Sequence, residues 1–238
     1  MHFFSPYLVS VQPARVGASP SPRVFATKVP PSLLVSAAGI DWLTSEEEAA
    51  LAAFASAKRR AQFIAGRWLL RYAARTVLGL DVRYRVRLVD GRPVLTPGRS
   101  KAPMPVSISH CADLVLCGVM ASGLLGVDVE RIRPRRKWVE LASFVLHPSE
   151  RARLEGLPGP ERWRRFYRVW TLKEALAKAT GVGLALPFNQ IATSDDGRIE
   201  AAPKAYGLAD PRWCLADLQA GGDTAAAAAW RPASRANR

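Results

Sequence analysis

Cysteines, acids and long apolar runs are all scarce in this chain, and each shortage excludes something. The three cysteines, Cys111, Cys117 and Cys214, have neither paired nor metal-ligand spacing. That rules out a disulfide scaffold and a thiolate metal cluster. A sparse, odd set fits a reducing compartment, so a cytoplasmic protein is expected. No apolar run reaches the roughly 18 residues that a membrane helix needs, so no membrane span is expected. Acidic residues number 20 against 34 Lys and Arg, a net charge of +14. Such a field attracts anions: nucleic acid, anionic lipid, a phosphorylated small molecule or an acidic protein. The stretch from Met1 to Pro22 lacks a basic start, and prolines interrupt its apolar part. It therefore does not read as a secretion signal.

What is present is a globular composition. The 238 residues are 49% apolar, enough for one large domain or two small ones with a real core. Residues 1–30, rich in Pro and Ser, read as an irregular lead-in. "WLTSEEEAALAAF" opens a helix, with Thr44 or Ser45 as N-cap and three glutamates in the first turn. "AKRRAQFIAGRWLLRYAARTVLG" is a second helix closed by Gly79. "VRYRVRLV" alternates as a half-exposed strand, "DGRP" turns it, and "VSISH" and "LVLCGVMA" are buried strands. "LGVDVERI" is another strand. Helices follow at about 138–156 and 160–180, and "WCLADL" with "TAAAAAW" forms a closing hairpin.

A long helix and a strand pair thus occur in each half. The expected fold is α+β: two similar halves related by a pseudo-two-fold axis, each a small antiparallel sheet packed with a long helix. The halves are residues 31–122 and 123–230, and 231–238 is a disordered tail.

The chemistry-bearing residues lie mainly in the second half. Asp128 and Glu130 are two apart on a strand, so both carboxylates share one face. Two close carboxylates repel unless a cation, a proton or basic side chains intervene. Hard oxygen ligands suit Mg²⁺; a solvated face paired with Arg131 and Arg133 is the plain alternative. In "FYRVWTLKEALAKATGVG", Phe166, Val169, Trp170, Leu172 and Leu176 gather on one apolar helix face. Lys173 falls inside that face, and Glu174 and Lys178 stand one turn apart on its flank. A surface i,i+4 salt bridge is the plain reading of the latter pair. A lysine in an apolar arc either snorkels or meets a buried anion. In the earlier long helix, Arg60, Arg67, Arg71 and Arg75 share an arc; Arg67 reads as an anion contact, Arg71 and Arg75 as a solvated face. His110, alone at the end of a short strand after Ser109, reads first as a structural histidine.

Together these motifs resemble a family. "GVDVE", followed about 40 residues later by "WTLKEALAKATGVGL", is similar to the paired signature of the 4′-phosphopantetheinyl transferases, in particular the single-chain surfactin-synthetase type with two fused halves. "GRPVL", "SISH" and "AGRWLLR" resemble further segments of that family, in the same order, over about residues 42–190. The resemblance implies transfer of the 4′-phosphopantetheine arm of coenzyme A to a serine of an apo acyl or peptidyl carrier protein, releasing adenosine 3′,5′-bisphosphate. It implies Asp128, Glu130 and Glu174 as ligands of Mg²⁺, or of Mn²⁺, and Glu174 and Lys178 as catalytic. It further implies coenzyme A contacts by Arg67, Gly91, Arg92, Pro93, Ser109, His110, Lys173 and Lys178, with Lys58, Arg59 or Arg60 at the 3′-phosphate. The implied partner is an acidic carrier, met by a basic surface from "RIRPRRKW" and "ERWRRFYRVW", and the enzyme is expected to be a monomer in fatty-acid, polyketide or peptide biosynthesis. The competing readings are a Mg²⁺-dependent nuclease and a nucleic-acid-binding module. Against the nuclease, Glu and Lys stand four apart on a helix. Against the binding module, acids oppose phosphate.

Overall fold

The structure, a computed structural model, describes residues 4–9, 11–13, 21–35, 40–78, 84–89, 92–97, 103–134 and 137–234. Among these, Tyr7–Val9 (β1), Arg23–Lys28 (β3), Tyr84–Val89 (β4), Arg92–Pro97 (β5), Met104–Cys111 (β6) and Leu114–Val119 (β7) build a six-stranded sheet in the order β1-β3-β7-β6-β5-β4. Val11–Pro13 (β2), Leu124–Arg131 (β8), Cys214–Leu218 (β11) and Thr224–Arg231 (β12) build a second sheet in the order β2-β11-β12-β8. Ala192–Thr193 (β9) and Ile199–Ala201 (β10) form a small separate pair. Every strand pairing is antiparallel.

The helices are Ser32–Val35 (α1), Ser45–Ala52 (α2), Ala57–Leu78 (α3), Trp138–Val145 (α4), Pro148–Glu155 (α5) and Gly159–Thr180 (α6). Thr44 caps α2 as expected, in a capping box with Glu47. The single helix expected over 138–156 is two, α4 and α5, because Pro148 cannot continue a helix through its missing N–H and instead starts a new one.

Strand alternation sorts the core into layers. Phe25, Val115 and Cys117 face α3, whose Ile64, Ala65, Leu69 and Ala73 cover them. Their neighbours Val24, Ala26, Leu114 and Leu116 face the other way. There they meet Leu125, Val127 and Val129 of β8 and Ala226, Ala228 and Trp230 of β12. The opposite face of the second sheet carries Ala227 and Ala229, which pack on Leu172, Ala175, Leu176 and Ala179 of α6. The order is helix, sheet, sheet, helix.

The lead-in expected over residues 1–30 is corrected by this arrangement. β1 and β3 are strands of the first sheet and β2 is a strand of the second. Val9, Val24, Phe25 and Ala26 are buried. β1 pairs with β3, while β2 and β3 find partners in β11 and β7, strands distant in sequence, which local composition does not announce. The expected caps and turns at Gly79 and Asp90–Gly91, the residues Arg135 and Arg136, and the end of the tail at 235–238 lie outside the described residues.

Candidate functional site

Alternation on β8 turns Leu125, Val127 and Val129 into the space between the sheets, so Gly126, Asp128 and Glu130 face α6. The helix comes unusually close at Gly126. A Cβ there would collide with the carbonyl oxygen of Ala175 and would lie 2.7 Å from the amide nitrogen of Ala179. The absent side chain thus brings the last turns of α6, with Glu174 and Lys178, down onto the strand beside Asp128. Gly181, at φ 77°, ends the helix in a left-handed cap whose N–H reaches back to Ala177 and Lys178.

Asp128 is the centre of the arrangement and is buried. Its Oδ1 accepts from Lys178 Nζ at 2.7 Å and from Ser109 Oγ at 2.8 Å. Lys178 also donates to the carbonyl of Val127. The other oxygen, Oδ2, is buried and has no hydrogen-bond partner among the described residues. Burial pushes the Glu174 carboxyl above the usual carboxylate range; Asp128, and more weakly Glu130, push the same way, and Lys178 opposes. Glu130 lies within reach of the Cys111 thiol.

An open buried oxygen on Asp128 and a carboxylate group that raises the pKa of Glu174 are what a cation would relieve. The carboxylates of Asp128, Glu130 and Glu174 thus have the donor chemistry that a hard divalent metal takes. As placed, no three His, Cys, Asp or Glu side chains among the described residues are gathered closely enough to hold one.

The first half contributes from β6. Ser107, Ser109 and Cys111 point at β8 and accept hydrogen bonds from the backbone N–H groups of Val127, Val129 and Arg131, at 3.0, 3.3 and 3.1 Å. His110, on the other side of β6, meets Arg59 of α3, whose Nη1 lies 3.1 Å from Nε2. Burial lowers the His110 pKa; Arg59 and Lys178 add to this, while a backbone hydrogen bond and Asp128 oppose it. The turn after His110 places Ala112 at φ 53°, a strained value for a residue with a Cβ. The buried Gln62 amide of α3 donates to the Ala112 carbonyl at 2.8 Å and holds that turn.

Several sequence-based expectations change. Lys173 is not a coenzyme A contact: it is completely buried. Its ammonium pairs with Glu150 of α5 and donates to the carbonyls of Val145 and Phe188. Burial lowers its pKa to about 8, against the pull of Glu150. Glu150 in turn accepts from Thr193 N, Thr193 Oγ and His147 N, so the buried charge pair is fully hydrogen-bonded. Sequence reading missed Glu150, although His147–Glu150 has the spacing of a capping box. Ser109, expected at the ligand, turns its hydroxyl inward to Asp128. Arg67 lies 3.5 Å from Glu47 and stacks over Phe63; it is engaged within the first half. Arg71, expected on a solvated face, pairs with Glu47 at 2.6 Å, donates to the Trp42 carbonyl and covers the Trp42 ring. Of the three cations considered for the 3′-phosphate, Arg60 donates to the carbonyls of Phe54 and Ala55, whereas Arg59 stands at His110. Gly91 lies outside the described residues, as does the side chain of Arg92; Pro93 pairs with Leu88 in the β4–β5 hairpin.

Comparison with known proteins adds to this geometry. Residues 124–229 match the profile of the 4′-phosphopantetheinyl transferase superfamily. The chain is 31% identical over 203 residues to the 4′-phosphopantetheinyl transferase HetI of Nostoc sp. (strain PCC 7120), an alignment covering 80% of this chain and 81% of that protein. It is 34% identical over 123 residues to the transferase AcpT of Salmonella typhimurium, covering 52% of this chain and 60% of AcpT. It is 29% identical over 139 residues to a 4′-phosphopantetheinyl transferase of Bacillus subtilis, covering 56% and 59%.

Proposed function

The chain belongs to the 4′-phosphopantetheinyl transferase superfamily, and we propose that it moves the phosphopantetheine arm of coenzyme A onto a serine of an apo carrier protein through the site around Asp128. The observation that supports this most directly is that Asp128 is held from both halves at once. Ser109 comes from the first half, Lys178 comes from the second, and one carboxylate oxygen is left open. A nuclease reading has no support: the matched family and these relatives are transferases, and Glu174 and Lys178 lie on a helix.

In this reading Arg59 and His110 bind the phosphates at the nucleotide end of coenzyme A, with Gly91, Arg92 and Pro93 beside the nucleotide. Asp128, Glu130 and Glu174 would hold a divalent metal, Mg²⁺ or Mn²⁺. When bound, it supplies neutralising charge for the departing phosphate. Glu174 takes the proton from the carrier serine. The serine oxygen forms a bond to the β-phosphorus as the bond to adenosine 3′,5′-bisphosphate breaks. Lys178, a third exposed and able to leave Asp128, stabilises the charge that develops on the pyrophosphate.

We read the chain as a cytoplasmic monomer whose two halves are related by a pseudo-two-fold axis. Its partner is an acidic carrier, approaching the basic segments that flank β8 and open α6. Incubation with coenzyme A, Mg²⁺ and a panel of apo carriers, followed by mass spectrometry, tests the reaction. A gain of one phosphopantetheine arm on a carrier is expected; no gain on fatty-acid, polyketide or peptide carriers would overturn it.

A further inference from the structure

We propose that Ser109 is a positioning residue for Asp128, reaching across from the first half to fix which carboxylate oxygen stays open. The proposal rests on the transferase reading of the Asp128 site. β8 is an edge of its sheet, so every second N–H would lack a strand partner. β6 supplies side chains instead: Ser107, Ser109 and Cys111 accept from Val127, Val129 and Arg131. The three rungs are alike in what they accept. The Cys111 thiol lies 3.9 Å from Glu130; of the two serine rungs only Ser109 reaches a carboxylate, its hydroxyl donating to Asp128 Oδ1 at 2.8 Å.

That hydrogen bond resolves an ambiguity. An aspartate carboxylate rotates over a broad, two-fold profile about its last torsion, so one ammonium alone does not distinguish its oxygens. Ser109 and Lys178 converge on the same oxygen from opposite sides of the site. Oδ1 therefore has two donors and Oδ2 none. Both serines are buried, with 3% exposure for Ser107 and 6% for Ser109, and the Ser109 hydroxyl is occupied on both its donor and acceptor sides. It is not available to a ligand, and its influence on the reaction passes through Asp128.

The ladder contains its own control. Ser107→Ala removes a rung and leaves Asp128 untouched; Ser109→Ala removes a rung and the carboxylate contact. The full-length variants would be compared by thermal melting, by kcat and KM for coenzyme A, and by Mn²⁺ titration calorimetry in the presence of coenzyme A. Similar melting losses are expected for the two. Ser109→Ala alone should lower kcat at least about fivefold below Ser107→Ala, weaken Mn²⁺ binding by a similar factor, and leave KM for coenzyme A within about twofold. A smaller gap in kcat would reduce Ser109 to a scaffold rung, and a defect carried by KM would make it a ligand contact; either overturns the proposal. Should Ser109→Ala fail to fold, Ser109→Cys keeps the rung, as Cys111 does, with a poorer donor, and is judged by the same quantities. Absence of transfer by the parent enzyme would instead overturn the transferase reading, and the Mn²⁺ titration would still read the carboxylate.

Discussion

Gly126 of β8 and Ala175 of α6 approach so closely that a single added methyl group would collide with backbone. Neither partner has a flexible end to withdraw, so Gly126→Ala must push the helix off the strand. Overpacking of this kind costs about 1–3 kcal/mol, which for a chain of this size lowers the melting temperature by roughly 2–12 °C. The same displacement carries Glu174 and Lys178 away from Asp128. Transfer activity measured well below the melting point is therefore expected to fall more steeply than stability, and parental activity with a lowered melting temperature would contradict the link.

The Lys173–Glu150 pair separates charge from position. Lys173→Met alone leaves Glu150 buried without its cation, and breaking such a pair costs about 3–5 kcal/mol. Adding Glu150→Gln removes the stranded charge, so the double variant is expected to recover most of the loss. Denaturant midpoints of the parent, both single variants and the double variant give this cycle directly.

Glu174→Gln keeps shape and removes the base. A positioned general base contributes about 10²–10⁴ in rate, so kcat should fall by at least two orders of magnitude with an unchanged melting curve. Near-normal transfer would remove Glu174 from the chemistry.

If His110 contacts coenzyme A as proposed, binding is expected to be sensitive to pH. Burial holds its pKa below the ordinary value, so in the free enzyme the neutral ring contributes stability that is lost as pH falls through the lowered value. A bound phosphate reverses the preference, because it favours the protonated ring. KM for coenzyme A is therefore expected to rise as pH increases over about 5.5–7.5. The slope should flatten in His110→Gln and with dephospho-coenzyme A, which lacks the 3′-phosphate. An equal slope for both substrates would place His110 elsewhere.

The second half was largely legible from local pattern. Period-two alternation in "GVDVERI" correctly placed Asp128 and Glu130 on one face of a strand, and helical spacing correctly marked Lys173 as the misfit in an apolar arc. What Lys173 meets was not legible, because Glu150 lies on another helix 23 residues away and no local period connects them. The same limit hid β2 and β3, whose partners β11 and β7 are far along the chain, and the role of Ser109. Its residue type is common at ligand contacts, and only the packing of β6 against β8 shows that the hydroxyl points inward. Pro148, which divides the helix expected over 138–156, is by contrast a signal that the sequence carries locally.

The adjacent strands β1 and β2 carry one more consequence. They are separated by a single residue in sequence, yet β1 joins one sheet through β3 and β2 joins the other through β11. The partner of Val11 is Leu218, so one of the earliest strands to be synthesised waits for one of the last. Pairings this distant form slowly, and until they form the edges of β3 and β11 stay open to other chains. The order of events in folding is thereby tied to the synthesis of β11. A chain interrupted before β11 would lack a finished edge in the second sheet and would leave β2 without its partner strand.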